Sequence, residues 1–108
     1  MNKVYLASPY SIGNQEENVK RQIDVANKLM DMGWIPYVPL LSHYQNLICP
    51  RPYQDWIDFD CQWLRVCDCI LRLDGESKGA DHEVEMAIAM GLPVFYSIDE
   101  LNGLEGSV

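Results

Sequence analysis

Two glutamates, Glu83 and Glu85, fall early in a predicted helix that runs from about Ala80 to Met90. Glu83 is followed by Ala87 and Met90 at helical spacing, so its carboxylate turns toward the packed side of that helix more than that of Glu85. A carboxylate that faces a cleft is able to act as a nucleophile or as a general base. Taken alone, however, a first-turn glutamate more often complements the helix dipole at a solvated surface.

The loop in front of this helix, residues 74–79, is a candidate anion site. It contains Ser77 and Gly79 and continues directly into the helix, so free N–H groups and a partial positive charge face whatever lies above the preceding strand. A single phosphate can be held in this way without net positive charge. A helix N-cap followed by acidic residues in the first turn explains the same sequence equally well.

Asp60 is a further candidate for acid–base chemistry. It lies on a predicted helix over residues 53–66, four residues after Trp56 and three before Trp63. It is therefore on the aromatic side of that helix, where we expect its partners to be apolar. Asp68, at the turn into the next strand, is typical of a capping or turn residue.

The cysteines and histidines do not predict a metal site. The cysteines form no CxxC pair and the two histidines stand apart from them, at positions Cys49, Cys61, Cys67, Cys69, His43 and His82. We predict reduced thiols, and neither a metal nor a cofactor. His43 lies beside Tyr44 in the connection over residues 39–52, where a satisfied or exposed imidazole is more common than a catalytic one.

Alternating strands and helices must position these side chains. Apolar runs closed by proline, glycine or polar turns predict strands over residues 4–7, 34–38, 69–73 and 94–96, the second near a sheet edge because it contains Pro36. Besides the helices over residues 53–66 and 80–90, a third begins at Glu16 and ends at Gly33. Its apolar residues recur at spacings of three and four: Val19, Ile23, Ala26, Leu29 and Met30.

This alternation predicts an α/β fold for a single domain over residues 1–108. We expect a small doubly wound parallel sheet of about four to five strands, Rossmann-like or flavodoxin-like, with helices on both faces. Ligands of such sheets bind beyond the carboxyl ends of the strands, where the strand order reverses. The loops expected there cover residues 8–15, 39–52 and 74–79, and the long connection 39–52 has no clear periodicity.

The composition narrows the classes of ligand. A net charge of −8 disfavours a nucleic acid polymer, because phosphodiester backbones bind to clustered cations. The apolar runs are too short for a membrane span, and the first residues lack the apolar region of a signal peptide. We therefore expect a cytoplasmic protein that binds a small molecule.

Three segments in order, residues 4–10, 60–64 with Asp68, and 77–87, resemble the nucleoside 2-deoxyribosyltransferase superfamily. The similarity is closest to its short phage and bacterial members and to the deoxynucleoside-monophosphate N-glycosidases. The resemblance implies that Glu83 is the nucleophile, that Tyr5 holds its carboxylate, and that Asp60 binds the sugar or exchanges a proton with the leaving base. The activity implied is cleavage of an N-glycosidic bond in a nucleoside or its 5′-monophosphate.

The resemblance also implies a set of substrate-binding residues, namely Ser8, Pro9, Tyr10, His43, Ser77 and Gly79. Ser77 and the N–H groups around Gly79 would bind a 5′-phosphate. The N-glycosidases also use an arginine in the first loop, but residues 8–15 contain none, so Arg51, Lys78 or a neighbouring subunit would have to supply a cation. Members of the superfamily are usually oligomers, so we expect a homodimer or a higher homo-oligomer.

Several alternatives stay open at the level of sequence. Transfer to a second base and hydrolysis are not separated, and neither are the base, the sugar and the need for a 5′-phosphate. A nucleotide-binding module without catalysis, a hydrolase of an NAD-like signalling nucleotide, and a structural or inhibitory role are the competing functions. Convergence of Tyr5, Asp60 and Glu83 on one pocket would favour catalysis over simple binding.

Overall fold

The computed structural model of the protein describes residues 2–102, so both ends of the predicted domain 1–108 extend beyond the described residues. Within this range there are four strands, β1 (Lys3–Ala7), β2 (Ile35–Tyr37), β3 (Cys69–Arg72) and β4 (Val94–Phe95). The same range contains five α-helices, α1 (Gln15–Asp31), α2 (Ser42–Ile48), α3 (Tyr53–Val66), α4 (Lys78–Ala89) and α5 (Ile98–Leu101).

The four strands form one parallel sheet in the order β2-β1-β3-β4. The order reverses between β1 and β3, and this is the switch point at which doubly wound folds bind ligands. The predicted α/β fold with a Rossmann-like or flavodoxin-like parallel sheet is confirmed. The short strand β2 lies at an edge, as Pro36 predicted, because proline cannot donate to a second neighbouring strand.

Helices cover both faces of the sheet because alternate side chains of β1 point to opposite sides. Val4 and Leu6 pack on one face with residues of α1 and α5, and Tyr5 and Ala7 pack on the other with residues of α3 and α4. All four side chains of β1 named here are fully buried. The second face is the one that carries the candidate catalytic residues.

Helix α1 begins after Asn14, whose side chain accepts a hydrogen bond from the Glu17 N–H at 3.0 Å. Its predicted apolar stripe is wrong at one position, because Met30 is 61% exposed while Gln22 is fully buried. The Gln22 amide donates to Ser8 Oγ at 2.8 Å and accepts from the Leu40 N–H at 3.0 Å. Gln22, a polar residue, thus lies in the buried stripe of α1, where its hydrogen bonds join the segments that follow β1 and β2.

The connection after β2 is more ordered than predicted. Instead of an aperiodic loop over residues 39–52, it holds a 3-10 turn at Pro39–Leu41 and then the two-turn helix α2. Pro39 stands in the first turn, where the missing N–H costs nothing. Because no residue of α2 is buried, the helix leaves no apolar stripe from which it could be predicted.

The other differences are shifts of element ends and one additional short helix. Helix α4 begins two residues before the predicted start because Ser77 caps it, accepting the Ala80 N–H at 3.0 Å. Strand β3 stops one residue early at Arg72, and the short helix α5 was not predicted. No helix of residues 2–102 is long and apolar enough to cross a membrane.

Candidate active site

A cleft of about 750 Å³ opens at the carboxyl ends of β1 and β3. All three loops selected from the sequence contribute to its wall, together with the inner faces of α3 and α4. Its volume is that of a typical small-molecule site. The predicted residues that line it are Ser8, Tyr10, His43, Asp60, Ser77, Gly79 and Glu83.

Tyr5 lies beneath the floor of this cleft and contacts Glu83. The Tyr5 side chain is fully buried, and its hydroxyl donates a hydrogen bond to Oε2 of Glu83. Burial, followed by the negative charges of Glu83 and Asp60, raises the pKa of Tyr5 far above its ordinary value. The phenol therefore stays protonated and holds one oxygen of the Glu83 carboxylate by donating to it.

Asp60 has an equivalent partner in Tyr37, the last residue of β2. The Tyr37 hydroxyl donates to Oδ1 of Asp60 at 2.9 Å. The Tyr37 ring stacks on Trp63 with centroids 5.2 Å apart and an interplanar angle of 17°. The expectation of wholly apolar partners for Asp60 is wrong, because the hydroxyl of Tyr37 donates a hydrogen bond to it.

The two carboxyl groups have raised pKa values. Burial raises the pKa of Glu83 to about 8, and the charge of Asp60 adds to the rise, although the hydrogen bond from Tyr5 and the charge of Arg72 oppose it. Burial raises the pKa of Asp60 to about 6 against the hydrogen bond from Tyr37. The two pKa values therefore lie on either side of neutral pH, so the pair of carboxyl groups holds about one proton there. Such separation of two carboxyl groups is typical of acid–base sites.

The start of α4 also lines the cleft. Ser77 uses a lone pair for the N-cap and keeps its own O–H for donation to a ligand. The first-turn N–H groups of Lys78 and Gly79 have no partner within the helix, as at any helix start. Lys78 and Arg51, the two cations considered from the sequence, both line the cleft. This end is able to bind an anion.

Arg72, at the end of β3, is a residue that the sequence did not single out. Its guanidinium donates to the carbonyl oxygens of Leu73 and Gly75 and to Oδ1 of Asp81, the last two at 2.9 Å. The Arg72 side chain is 10% exposed. These hydrogen bonds hold the loop before α4 in place. The positive charge of Arg72 also lowers the pKa of Glu83.

The remaining predicted residues fall into two groups. Tyr10 and His43 both belong to the cleft wall, and the Tyr10 hydroxyl is in hydrogen-bond contact with Nδ1 of His43. Among residues 2–102, Nε2 of His43 finds no hydrogen-bond partner although it is buried. Pro9 is not among the described residues that line the cleft. Its ring lies against Gly75, where an added Cβ would come within 2.8 Å of Pro9 Cγ.

The site offers no ligand set for a metal ion. Across the described part of the chain, no three His, Cys, Asp or Glu side chains are grouped so as to hold one. All four cysteines are free thiols, and Cys67 and Cys69 are buried.

Comparison with known proteins agrees with this fold. The model of a family described as "Domain of unknown function (DUF7768)" matches residues 2–97. Among solved structures, the chain is similar to a 2-deoxyribosyltransferase from the psychrotolerant bacterium Bacillus psychrosaccharolyticus, with 25% sequence identity and a TM-score of 0.62. That similarity covers 85% of this chain and 69% of the other. Comparison with curated proteins gives no match. The structural neighbour is an enzyme and supports the resemblance drawn from the sequence.

Proposed function

The chain belongs to the family "Domain of unknown function (DUF7768)", and we propose that it cleaves the N-glycosidic bond of a nucleoside or nucleoside 5′-monophosphate. One observation carries the proposal. Asp60 and Glu83, two desolvated carboxyl groups, face the same cleft at the switch point of the sheet, and each accepts a hydrogen bond from a tyrosine. A site that only binds a nucleotide gains nothing from two desolvated carboxyl groups, since their burial costs free energy.

The first step uses the one proton that the pair holds. An oxygen of the Glu83 carboxylate attacks the anomeric carbon, the bond to the base nitrogen breaks, and its electron pair leaves with the base. The Asp60 carboxyl group donates its proton to that nitrogen. The developing positive charge on the sugar is stabilised by the carboxylate beneath it.

The second step releases the sugar from Glu83. A water oxygen, or a nitrogen of a second base, bonds to the anomeric carbon while Glu83 leaves as a carboxylate. The proton of that water or base returns to Asp60, which restores the pair. Hydrolysis and transfer thus differ in the acceptor alone. The similarity to a 2-deoxyribosyltransferase supports deoxyribose as the sugar and transfer as one outcome.

The start of α4 supports recognition of a 5′-phosphate. The Ser77 hydroxyl, the N–H groups of Lys78 and Gly79, and the helix dipole would face the phosphate. Arg51 and Lys78 line the same cleft and replace the arginine missing from residues 8–15. Ser8, Tyr10 and His43 form the wall on the other side, where the base and sugar would lie.

The experiment that tests this function measures release of free base by chromatography. The substrates are nucleosides and 5′-monophosphates of both sugar series, with and without a second base, and NAD is included to detect nicotinamide release. We expect base release from at least one nucleoside or monophosphate by the native protein.

Two variants on the same helix give the control. Glu83→Gln keeps the size of the side chain but cannot attack, so base release should fall by a factor of at least about 1000. Glu85→Gln changes an exposed position of α4 and should retain activity. Full activity in Glu83→Gln would refute the nucleophile assignment, and nicotinamide release alone would favour the NAD-directed alternative.

The predicted homodimer or higher homo-oligomer also stays a proposal. Light scattering on the eluate of a size-exclusion column measures the molar mass in solution. A mass of one chain at the concentrations used for the activity assay would contradict it.

A further inference from the structure

Tyr37, like Arg72, is a residue of the carboxyl network that the sequence pattern provided no reason to select. It is in register with Tyr5 on the neighbouring strand, and its hydroxyl lies 2.9 Å from Oδ1 of Asp60. Its ring is held between Tyr5, at 5.4 Å, and Trp63, at 5.2 Å between centroids. Trp63 belongs to α3, the helix that also carries Asp60. Tyr37 therefore connects β2 to α3 twice, through its hydrogen bond to Asp60 and through its stacking on Trp63.

We propose that Tyr37 is a positioning residue for Asp60: its hydroxyl fixes Oδ1 and favours the ionised form of this carboxyl group. The phenol hydroxyl can donate a single hydrogen bond, and Asp60 accepts it. The second oxygen of Asp60 then remains for the cleft that Asp60 lines.

The surroundings of Asp60 support this assignment. Burial, the charge of Asp60 and the hydrogen bond to it raise the pKa of Tyr37 far above its ordinary value, so the phenol remains a donor. In return, that hydrogen bond lowers the pKa of Asp60. The other titratable or charged groups of the network and of the cleft are Tyr5, Glu83, Cys67, Arg72, Arg51, Lys78, His43 and His82.

The assignment has a consequence for the reaction. Attack on the sugar requires an ionised Glu83 and a protonated Asp60, whereas the hydrogen bond from Tyr37 favours ionisation of Asp60. In a pair that holds one proton, Tyr37 therefore opposes placing that proton on Asp60. Tyr37 contributes to the free energy of moving the proton from Glu83 to Asp60, because its hydrogen bond is stronger to the ionised than to the neutral carboxyl group.

The direct test follows the two carboxyl carbons by NMR during a pH titration of ¹³C-labelled protein. Tyr37→Phe keeps the ring and its stacking but removes the donor. We expect the titration midpoint of Asp60 to move upward by roughly one pH unit and that of Glu83 to move much less. In Tyr5→Phe the pattern should reverse, with Glu83 moving upward. Tyr96→Phe, at an exposed tyrosine after β4, should move neither.

A second variant protects the test against a failure of Tyr37→Phe to fold. Trp63→Leu keeps the Tyr37 hydroxyl but removes the ring on which Tyr37 stacks, at a position that is 44% exposed. The Asp60 midpoint should again move upward, by less than in Tyr37→Phe. An unchanged Asp60 midpoint in the folded variants would overturn the inference, and so would equal shifts of both carboxyl groups in Tyr37→Phe.

The kinetic form of this inference rests on the proposed function. In Tyr37→Phe the midpoint of the acidic limb of kcat/KM should move upward by roughly one pH unit, while the basic limb keeps its midpoint. The NMR titration needs no turnover. Absence of activity in the native protein would therefore count against the proposed function, whereas an unmoved Asp60 midpoint counts against the role of Tyr37.

Discussion

Tyr5 and Tyr37 are register partners on the adjacent parallel strands β1 and β2, and their ring centroids lie 5.4 Å apart. Each phenol donates to a carboxylate from a different helix, Tyr5 to Glu83 of α4 and Tyr37 to Asp60 of α3. Because neighbouring strands keep a fixed spacing, the sheet sets the distance between the two phenols. Each carboxyl group is thereby connected to the sheet by a hydrogen bond, in addition to its own helix.

The pH dependence of catalysis follows from the one proton that the pair must hold. We expect kcat/KM to follow a bell, with apparent pKa values of the pair near 6 and near 8. Below the lower value both carboxyl groups are protonated and no nucleophile exists. Above the upper value both are ionised and no acid remains for the leaving base. Initial rates at low substrate concentration measure this profile, and a steady rise through pH 8 would contradict the need for an acid.

Stability should also depend on the protonation of Glu83. Its folded pKa of about 8 lies above the ordinary value of 4.5, so the folded protein binds this proton more tightly than the unfolded chain. The stability it contributes is fully present below about pH 4.5 and is lost as pH rises through about 8. The loss is on the order of 5 kcal/mol for Glu83.

Chemical denaturation at a series of pH values tests this linkage. Glu83→Gln cannot ionise, so its free energy of unfolding should fall less between pH 5 and about pH 8 than that of the native protein. Glu85→Gln is the matched control on the exposed side of α4 and should follow the native curve. Parallel curves for the native protein and Glu83→Gln would show that the Glu83 pKa is not raised by folding.

Sequence alone could predict much of this fold because its long elements bury periodic apolar stripes. Helix α3 has the predicted ends, Tyr53–Val66, and the four predicted strands all occur. Helix α2 could not be predicted, since it buries no residue. The start of α4 depends on the hydrogen bond of Ser77 rather than on apolar spacing, so the apolar pattern predicted a start that is too late.

The candidate site divides in a similar way. Asp60, Ser77 and Glu83 could be proposed because their types and spacing are distinctive within the resemblance. Tyr37 and Arg72 could not, since both lie in short strands where a tyrosine or an arginine has no periodic signature. Their roles depend on strand register and on contacts to loops far along the chain, such as the pairing of Tyr37 with Tyr5.

Two substitutions at Ser77 separate its capping role from phosphate binding. Ser77→Ala removes both the cap and the hydroxyl donor, and should cost about 1 kcal/mol of stability. Ser77→Asp keeps a capping oxygen but repels a phosphate. We expect both variants to raise KM for a 5′-monophosphate, and Ser77→Asp to do so more while remaining the more stable.

The nucleoside without phosphate is the internal control for this comparison. Its KM should change little in either variant, because no anion then faces the start of α4. Thermal unfolding gives the stability of each variant, and kinetics with the two substrates give the ratio of KM values. Equal changes for the nucleoside and the monophosphate would place the phosphate away from Ser77.

Arg72→Met should affect the loop before α4 and the Glu83 carboxyl group together. Methionine fills a similar space but cannot donate to the Leu73 and Gly75 carbonyl oxygens or to Asp81. We expect a loss of roughly 2 kcal/mol in the free energy of unfolding. Removing the positive charge should also move the basic limb of kcat/KM upward, since Arg72 lowers the pKa of Glu83. Arg65→Met, at the exposed last turn of α3, is the matched control. A stability loss with an unmoved basic limb would mean that Arg72 acts on the loop alone, without electrostatic influence on Glu83.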